Sequence, residues 1–228
     1  MLEEAVGILR RNRLQRLAYR LDQRLAGARP GFPHQRDLVE GVVNELKSAG
    51  VLNNTYILFT SDNGFEMGEH RIFDGKRRPY EESIHMPLLV RGPGVAAGST
   101  TDKLALNTDF FPAFTDLAGI QTPSYVDGRS LRPVLNGSTT TWRIAILFEA
   151  RCESGTNKYF SGIRTSFGRK YVEYGGGIRE FYNLSTNTDP HEVSNTYNVT
   201  KPPTRLAARL QALKVCAGDS CRTAENGP

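Results

Sequence analysis

The stretch FTSDNGFEMGEHRIFDGK, residues 59–76, gathers Asp62, Asn63, His70 and Lys76 in one glycine-punctuated segment. An aspartate carboxylate beside an asparagine amide oxygen is a hard-oxygen pair, suited to Ca²⁺ or Mg²⁺ rather than zinc. Gly64 lets the backbone turn immediately afterwards. A calcium shell takes roughly six to eight oxygens, so further ligands have to come from elsewhere in a chain or from substrate. An ammonium such as Lys76 near a divalent cation neutralises charge on the non-bridging oxygens of a sulfate or phosphate ester. His70 can contact substrate or move a proton, and Arg71, Arg77 and Arg78 can help hold an anion. Each also has a plainer explanation taken singly. Asn-Gly makes a turn, Lys76 and the arginines are solvated loop charges, and His70 is a surface or supporting histidine.

These residues need a scaffold that ends a strand at Asp62. The run TYILFTS is continuously apolar and predicts a strand buried on both faces. MPLLVRGPGV predicts a second, stopped by Gly92-Pro93-Gly94. Before them, RDLVEGVVNELKSAG sets Leu38, Val39, Val42, Val43 and Leu46 on one helical face, with Gly50 as the stop. A helix feeding a buried strand indicates α/β architecture, in which ligands collect at the carboxyl ends of strands. LNTDFFPAFTDLAGI predicts a helix capped by Thr108, with Pro112 in its first turn and Gly119 at its end. DGRSLRPVLNG predicts a loop with a short helix. After Trp142 come four short strand candidates, RIAILFEA, YFSGIRT, RKYVEY and IREFYNL, then the amphipathic helix TRLAARLQALKV. Three regions result: an atypical Arg-rich segment at 1–36, a main α/β region at 37–141, which the resemblance described below implies is the C-terminal part of a larger α/β domain, and a small antiparallel α+β subdomain at 142–228.

The 228 residues suit one large domain or one domain with a small appendage. No apolar run reaches the roughly 18–20 residues of a membrane span, and no secretory signal opens the chain. The net charge of +5 is concentrated in the Arg-rich start, so it does not define a nucleic-acid surface. Cys216 and Cys221 are close enough for a small disulfide loop and equally readable as two free thiols. An oxidised pair would indicate an extracytoplasmic compartment.

The segment TYILFTSDNGFEMGEHRIFDGKRRPYEESIHMPLLVRGPGV closely resembles the sulfatase family, in the arylsulfatase and N-acetylglucosamine-6-sulfatase branch. The series continues through TDFFPAFTDLAGI, VDGRSLRPVLNG, IRTSFGRKYVEY and EFYNLSTNTDPHEVSN, covering about residues 37–221. The resemblance implies an alkaline-phosphatase-like fold, here partial, with a small C-terminal antiparallel sheet plus helix. It implies a bound Ca²⁺ with Asp62 and Asn63 as ligands, Lys76 on the sulfate and its leaving oxygen, and His70 as a catalytic or pocket contact. Arg77 is the further substrate-binding candidate. The family's nucleophile is a formylglycine made from Cys or Ser; its hydrate attacks sulfur and the alcohol leaves. The C/S-x-P-S/A-R motif for that residue is absent, as is the family's N-terminal aspartate pair, and Cys152 in ARCESG does not match it. The chain thus resembles the C-terminal portion of a sulfatase, explained by a truncated or frame-shifted reading frame and implying inactivity alone. A phosphonate or phosphate ester hydrolase of the same superfamily and a non-catalytic sulfated-glycan-binding remnant are the alternatives. The partner implied is a sulfate ester of a sugar or aryl alcohol, and the full-length parent would be secreted, periplasmic or lysosomal.

Overall fold

A computed structural model describes residues 35–72, 75–139, 141–150, 160–185 and 188–227. The Arg-rich segment through His34, and Cys152, lie outside the described residues. Contacts divide the chain into two units, Met1–Ile57 with Arg91–Pro93, and Leu58–Val90 with Gly94–Pro228.

In the first unit, helix α1 spans Gln35–Ser48, as the apolar spacing predicts. Leu46 is its buried apolar anchor. The helix ends in a Schellman turn: Val51 N–H returns to Leu46 C=O at 3.0 Å, and Gly50 N–H to Lys47 C=O at 3.0 Å. Gly50 supplies the left-handed φ of 68°. Arg91 donates to Leu52 C=O at 2.7 Å, and Tyr56 Oη to Pro93 C=O at 2.7 Å. Gly92 is fixed by close approach, since a Cβ there would sit 2.1 Å from the Tyr56 ring.

Strand β1 is Ile57–Phe59 and strand β2 is Leu89–Arg91; they pair in a two-stranded sheet. Burial on both faces does not follow. β1 is only half-buried and Leu89 is 58% exposed, whereas a strand covered on both faces would be closed to solvent along its length.

The second unit also holds α2 (Glu81–Ile84), α3 (Phe110–Leu117) and α4 (Arg132–Leu135). The cap of α3 is Asp109 rather than Thr108, because a 3₁₀ turn at Asn107–Asp109 precedes the helix. Asp109 is fully buried and accepts from the backbone N–H groups of Leu106 (2.7 Å) and Arg129 (2.8 Å).

The four strand candidates form β3 (Ala145–Ala150), β4 (Phe160–Thr165), β5 (Arg169–Tyr174) and β6 (Arg179–Asn183), antiparallel in the order β3-β4-β5-β6. Register places Leu147, Ile163, Tyr171 and Phe181 in one row across the sheet. Helix α5 (Thr204–Val215) lays Leu210 and Leu213 on that face, closing the core with Ala145, Ile163 and Tyr171. Each fully buried aliphatic side chain here contributes roughly 1.5–3 kcal/mol. Side chains alternate, so the neighbouring row, Ile146, Arg164, Lys170 and Tyr182, faces the other way. Gly162 sits opposite Phe148, whose ring lies where a Cβ would be, 2.2 Å away. After α5, a Cys216–Cys221 disulfide leads into α6 (Asp219–Asn226).

Candidate active site

Three segments of the second unit assemble here: the loop after β1, the Tyr80-Glu81-Glu82-Ser83 run opening α2, and the turn at 189–195 after β6. Gly64 joins the first two. Its N–H donates to Ser83 C=O at 2.9 Å, and a Cβ on it would lie 1.8 Å from the Glu82 carbonyl oxygen. The glycine after Asn63 is therefore demanded by backbone contact as well as by the turn.

At the tip of that loop Asp62 is exposed. The Ser61 hydroxyl lies 3.2 Å from Asp62 Oδ1 and 2.8 Å from Asn63 C=O, within donating reach of both. The backbone N–H of Asn63, then the Ser61 hydroxyl, hold the Asp62 carboxyl below its ordinary range, and the Lys76 ammonium adds to this. Asp62 is thus an anion at neutral pH that feels the charge of Lys76. Asn63 Nδ2 donates to Gly64 C=O at 2.8 Å, while no hydrogen bond among the described residues engages its Oδ1. Lys76, Arg77 and Arg78 are exposed, and Arg77 has a left-handed φ of 64°.

His70 keeps different company. Its Nε2 is 3.1 Å from Glu82 Oε2, and its ring stacks on Tyr80 with centroids 3.8 Å apart and planes 11° from parallel. Its partners are therefore Glu82 and Tyr80 rather than Asp62 or Lys76. His70, Arg71, Tyr80, Glu82, Tyr182 and Glu192 line a cleft of about 650 Å³. His70, Arg71 and Glu192 hold left-handed φ values of 53°, 59° and 51°. Such backbone is uncommon outside glycine and persists only where surroundings enforce it.

Of these three, Glu192 is held by the polar row of the sheet. Lys170 is fully buried, with Nζ 3.1 Å from Glu81 Oε1 and 2.5 Å from Glu192 Oε1. Arg164, one strand over, reaches Glu81 at 3.3 Å. Glu192 Oε2 accepts the Glu81 N–H at 2.7 Å across 111 positions of sequence. Burial pushes Glu81 up, but the His85 hydrogen bond and the charges of Lys170 and Arg164 outweigh it and hold the carboxyl at about 2. Glu192 faces the same Lys170 and moves the other way, because for it burial wins.

Reasoning from sequence missed Glu81, Glu82, Glu192 and Lys170. The signal available was weak: consecutive acids in PYEES, and an acid after Asp-Pro in DPHE. Their meeting depends on strand register, which a single sequence does not encode locally.

Residues 68–215 match the family described as N-sulphoglucosamine sulphohydrolase, C-terminal. The chain belongs to the sulfatase family. It is 35% identical over 222 residues to N-acetylglucosamine-6-sulfatase of Bos taurus, covering 82% of this chain and 39% of that protein. To N-acetylglucosamine-6-O-sulfatase of Bacteroides thetaiotaomicron it is 37% identical over 180 residues, covering 76% and 32%. A solved protein in complex with its substrate D-glucosamine-2-N,6-O-disulfate superposes with a TM-score of 0.70 at 32% identity, covering 83% of this chain and 40% of that one. A phosphonate monoester hydrolase from Silicibacter pomeroyi superposes at 0.62 with 25% identity, covering 78% and 37%. The fold is thus part of the alkaline-phosphatase-like sulfatase fold, with its small antiparallel sheet and helices. The sulfatase chain spans about two fifths of the length of its first relatives.

Proposed function

We propose that this chain carries the cation-binding and leaving-group side of a sulfuric ester hydrolase acting on a sulfated amino sugar. The observation that carries this reading is the Asp62–Asn63 pair on the loop after β1, whose Asn63 Nδ2 is turned to Gly64 C=O while no hydrogen bond among the described residues engages its Oδ1.

Asp62 and Asn63 fit calcium as two of its ligands: one is a carboxylate held below its ordinary range, and the other has an amide oxygen that no hydrogen bond among the described residues engages. Bound there, calcium would supply a hard positive charge for the sulfate oxygens. Lys76 donates to the sulfate and offsets charge as it develops on the departing alcohol oxygen. Arg77 extends the cationic rim. His70 lines the neighbouring cleft with Glu82 and Tyr80, so it is not assigned to the sulfate. The sequence has no motif for the formylglycine nucleophile, so the covalent step is not assigned to any residue of this chain. The isolated chain binds but does not turn over. The names of the relatives, and the disulfosugar held by the solved neighbour, support the substrate class. The Cys216–Cys221 disulfide and a relative named as an extracellular sulfatase support an extracytoplasmic parent. No helix among the described residues is long and apolar enough to cross a membrane.

A second reading, a phosphonate or phosphate ester hydrolase, is favoured by the Silicibacter neighbour, because both anions are tetrahedral. Titration of the chain with Ca²⁺, glucosamine 6-sulfate and glucosamine 6-phosphate separates the two. Sulfosugar binding that needs Ca²⁺ and weakens about tenfold or more in Lys76→Ala supports the first. Preference for the phosphosugar supports the second. Binding indifferent to both Lys76 and Asp62 rejects the site.

A further inference from the structure

We infer that His70, Glu82 and Glu192 form a site for a first-row divalent metal, Zn²⁺ best, separate from the Asp62–Asn63 pair. The His70 ring nitrogen and one carboxylate oxygen from each glutamate lie within 4.8 Å of one another. One imidazole with two carboxylates is a donor set for zinc and its neighbours rather than for calcium, which takes oxygen alone.

The geometry is close to a ligated one. Two ligand atoms about 2.0–2.1 Å from a tetrahedral zinc stand ~3.3 Å apart. His70 Nε2 and Glu82 Oε2 already stand 3.1 Å apart. The remaining closure falls to carboxylate rotation, and the Glu82 side chain, 27% exposed, is free to turn.

The other two ligands are held. Stacking on Tyr80 fixes the His70 ring. Glu192 is 3% exposed, and the Glu81 N–H on its Oε2 anchors it. Among the described residues the one contact of Glu192 Oε1 is its 2.5 Å ion pair with Lys170 Nζ. Lys170 keeps Glu81 at 3.1 Å as its second partner, so Glu192 Oε1 can turn to a metal without stranding the lysine. Two carboxylates balance the charge of a divalent ion. The cleft leaves an open position beside the exposed His191, room for a fourth ligand or a water. Such a metal would tie the start of α2 to the turn after β6, fixing the two walls of the cleft.

The test is calorimetric titration of the whole EDTA-treated chain with Zn²⁺, in excess Ca²⁺ so that hard-oxygen sites are filled. One equivalent of Zn²⁺ should bind and raise the Tm. His70→Ala and Glu82→Gln should each weaken binding at least tenfold, while Asp62→Asn and His85→Ala leave it unchanged. Because Asp62→Asn removes the sulfatase cation site, failure of one assignment does not carry the other. Where a variant does not fold, Co²⁺ added to the unsubstituted chain should give the visible absorption of a tetrahedral N/O site. Absence of stoichiometric zinc binding, binding retained in both His70→Ala and Glu82→Gln, or binding lost with His85→Ala overturns the inference.

Discussion

Glu81 is held ionised by groups from three separate elements, and this makes it the chain's acid-sensitive point. Its pKa in the folded chain, about 2, lies below the 4.5 of an ordinary glutamate. The stabilisation is therefore fully present above about pH 4.5 and is lost as pH falls from there toward 2, about 3 kcal/mol in all. Urea melts between pH 5 and pH 2.5 should show wild type losing stability that Glu81→Gln never had; parallel curves would refute this. Glu66 presents the opposite case. It is fully buried, and neither carboxylate oxygen has a hydrogen bond among the described residues. An unpaired buried acid costs stability, so Glu66→Gln is predicted to raise the Tm. A fall in Tm would show that the carboxylate has a partner the contacts do not reveal.

Among elements, α3, β3 and α6 are joined by one buried ionic cluster. Arg143 donates to both oxygens of Asp109 at 2.7 Å each and lies 3.2 Å from Glu225, which Arg129 meets at 2.8 Å. Both arginines stand over the Trp142 ring, Arg143 at 5.2 Å. Removing one partner strands another charge, so Asp109→Ala should cost about 3–5 kcal/mol by denaturant unfolding. A double replacement of Asp109 and Arg143 by apolar residues should cost less than that single change. The Cys216–Cys221 loop holds the α5–α6 turn, and its short closure predicts about 2 kcal/mol lost on reduction. An unchanged Tm in dithiothreitol would contradict that figure.

For the whole molecule, the notable feature is apolar surface. Met67 is 80% exposed, and Phe65, Leu89, Phe111 and Phe114 are also open. The small sheet with α5 has its own core, whereas β1 and β2 form only a pair. Unpaired strand edges and open apolar faces are places where another chain can dock. Concentration-dependent self-association by light scattering, with binding of an apolar dye, is predicted. A monomer with one sharp cooperative melt would contradict it.

By itself the sequence determined what is local. The helix at 35–48, the four strands after Trp142 and the helix at 204–215 follow from apolar period and turn residues. The series from SDNG through DPHEVSN carried the family. Tertiary structure alone decided that Asp109 stands at the head of α3 with its carboxylate turned to Arg143, that Leu89 stands in solvent, and that His70 sides with Glu82 rather than Asp62. The reason is that burial and charge pairing are properties of neighbours distant in sequence. Lys170 meets Glu81 and Glu192 only because strand register aims it there.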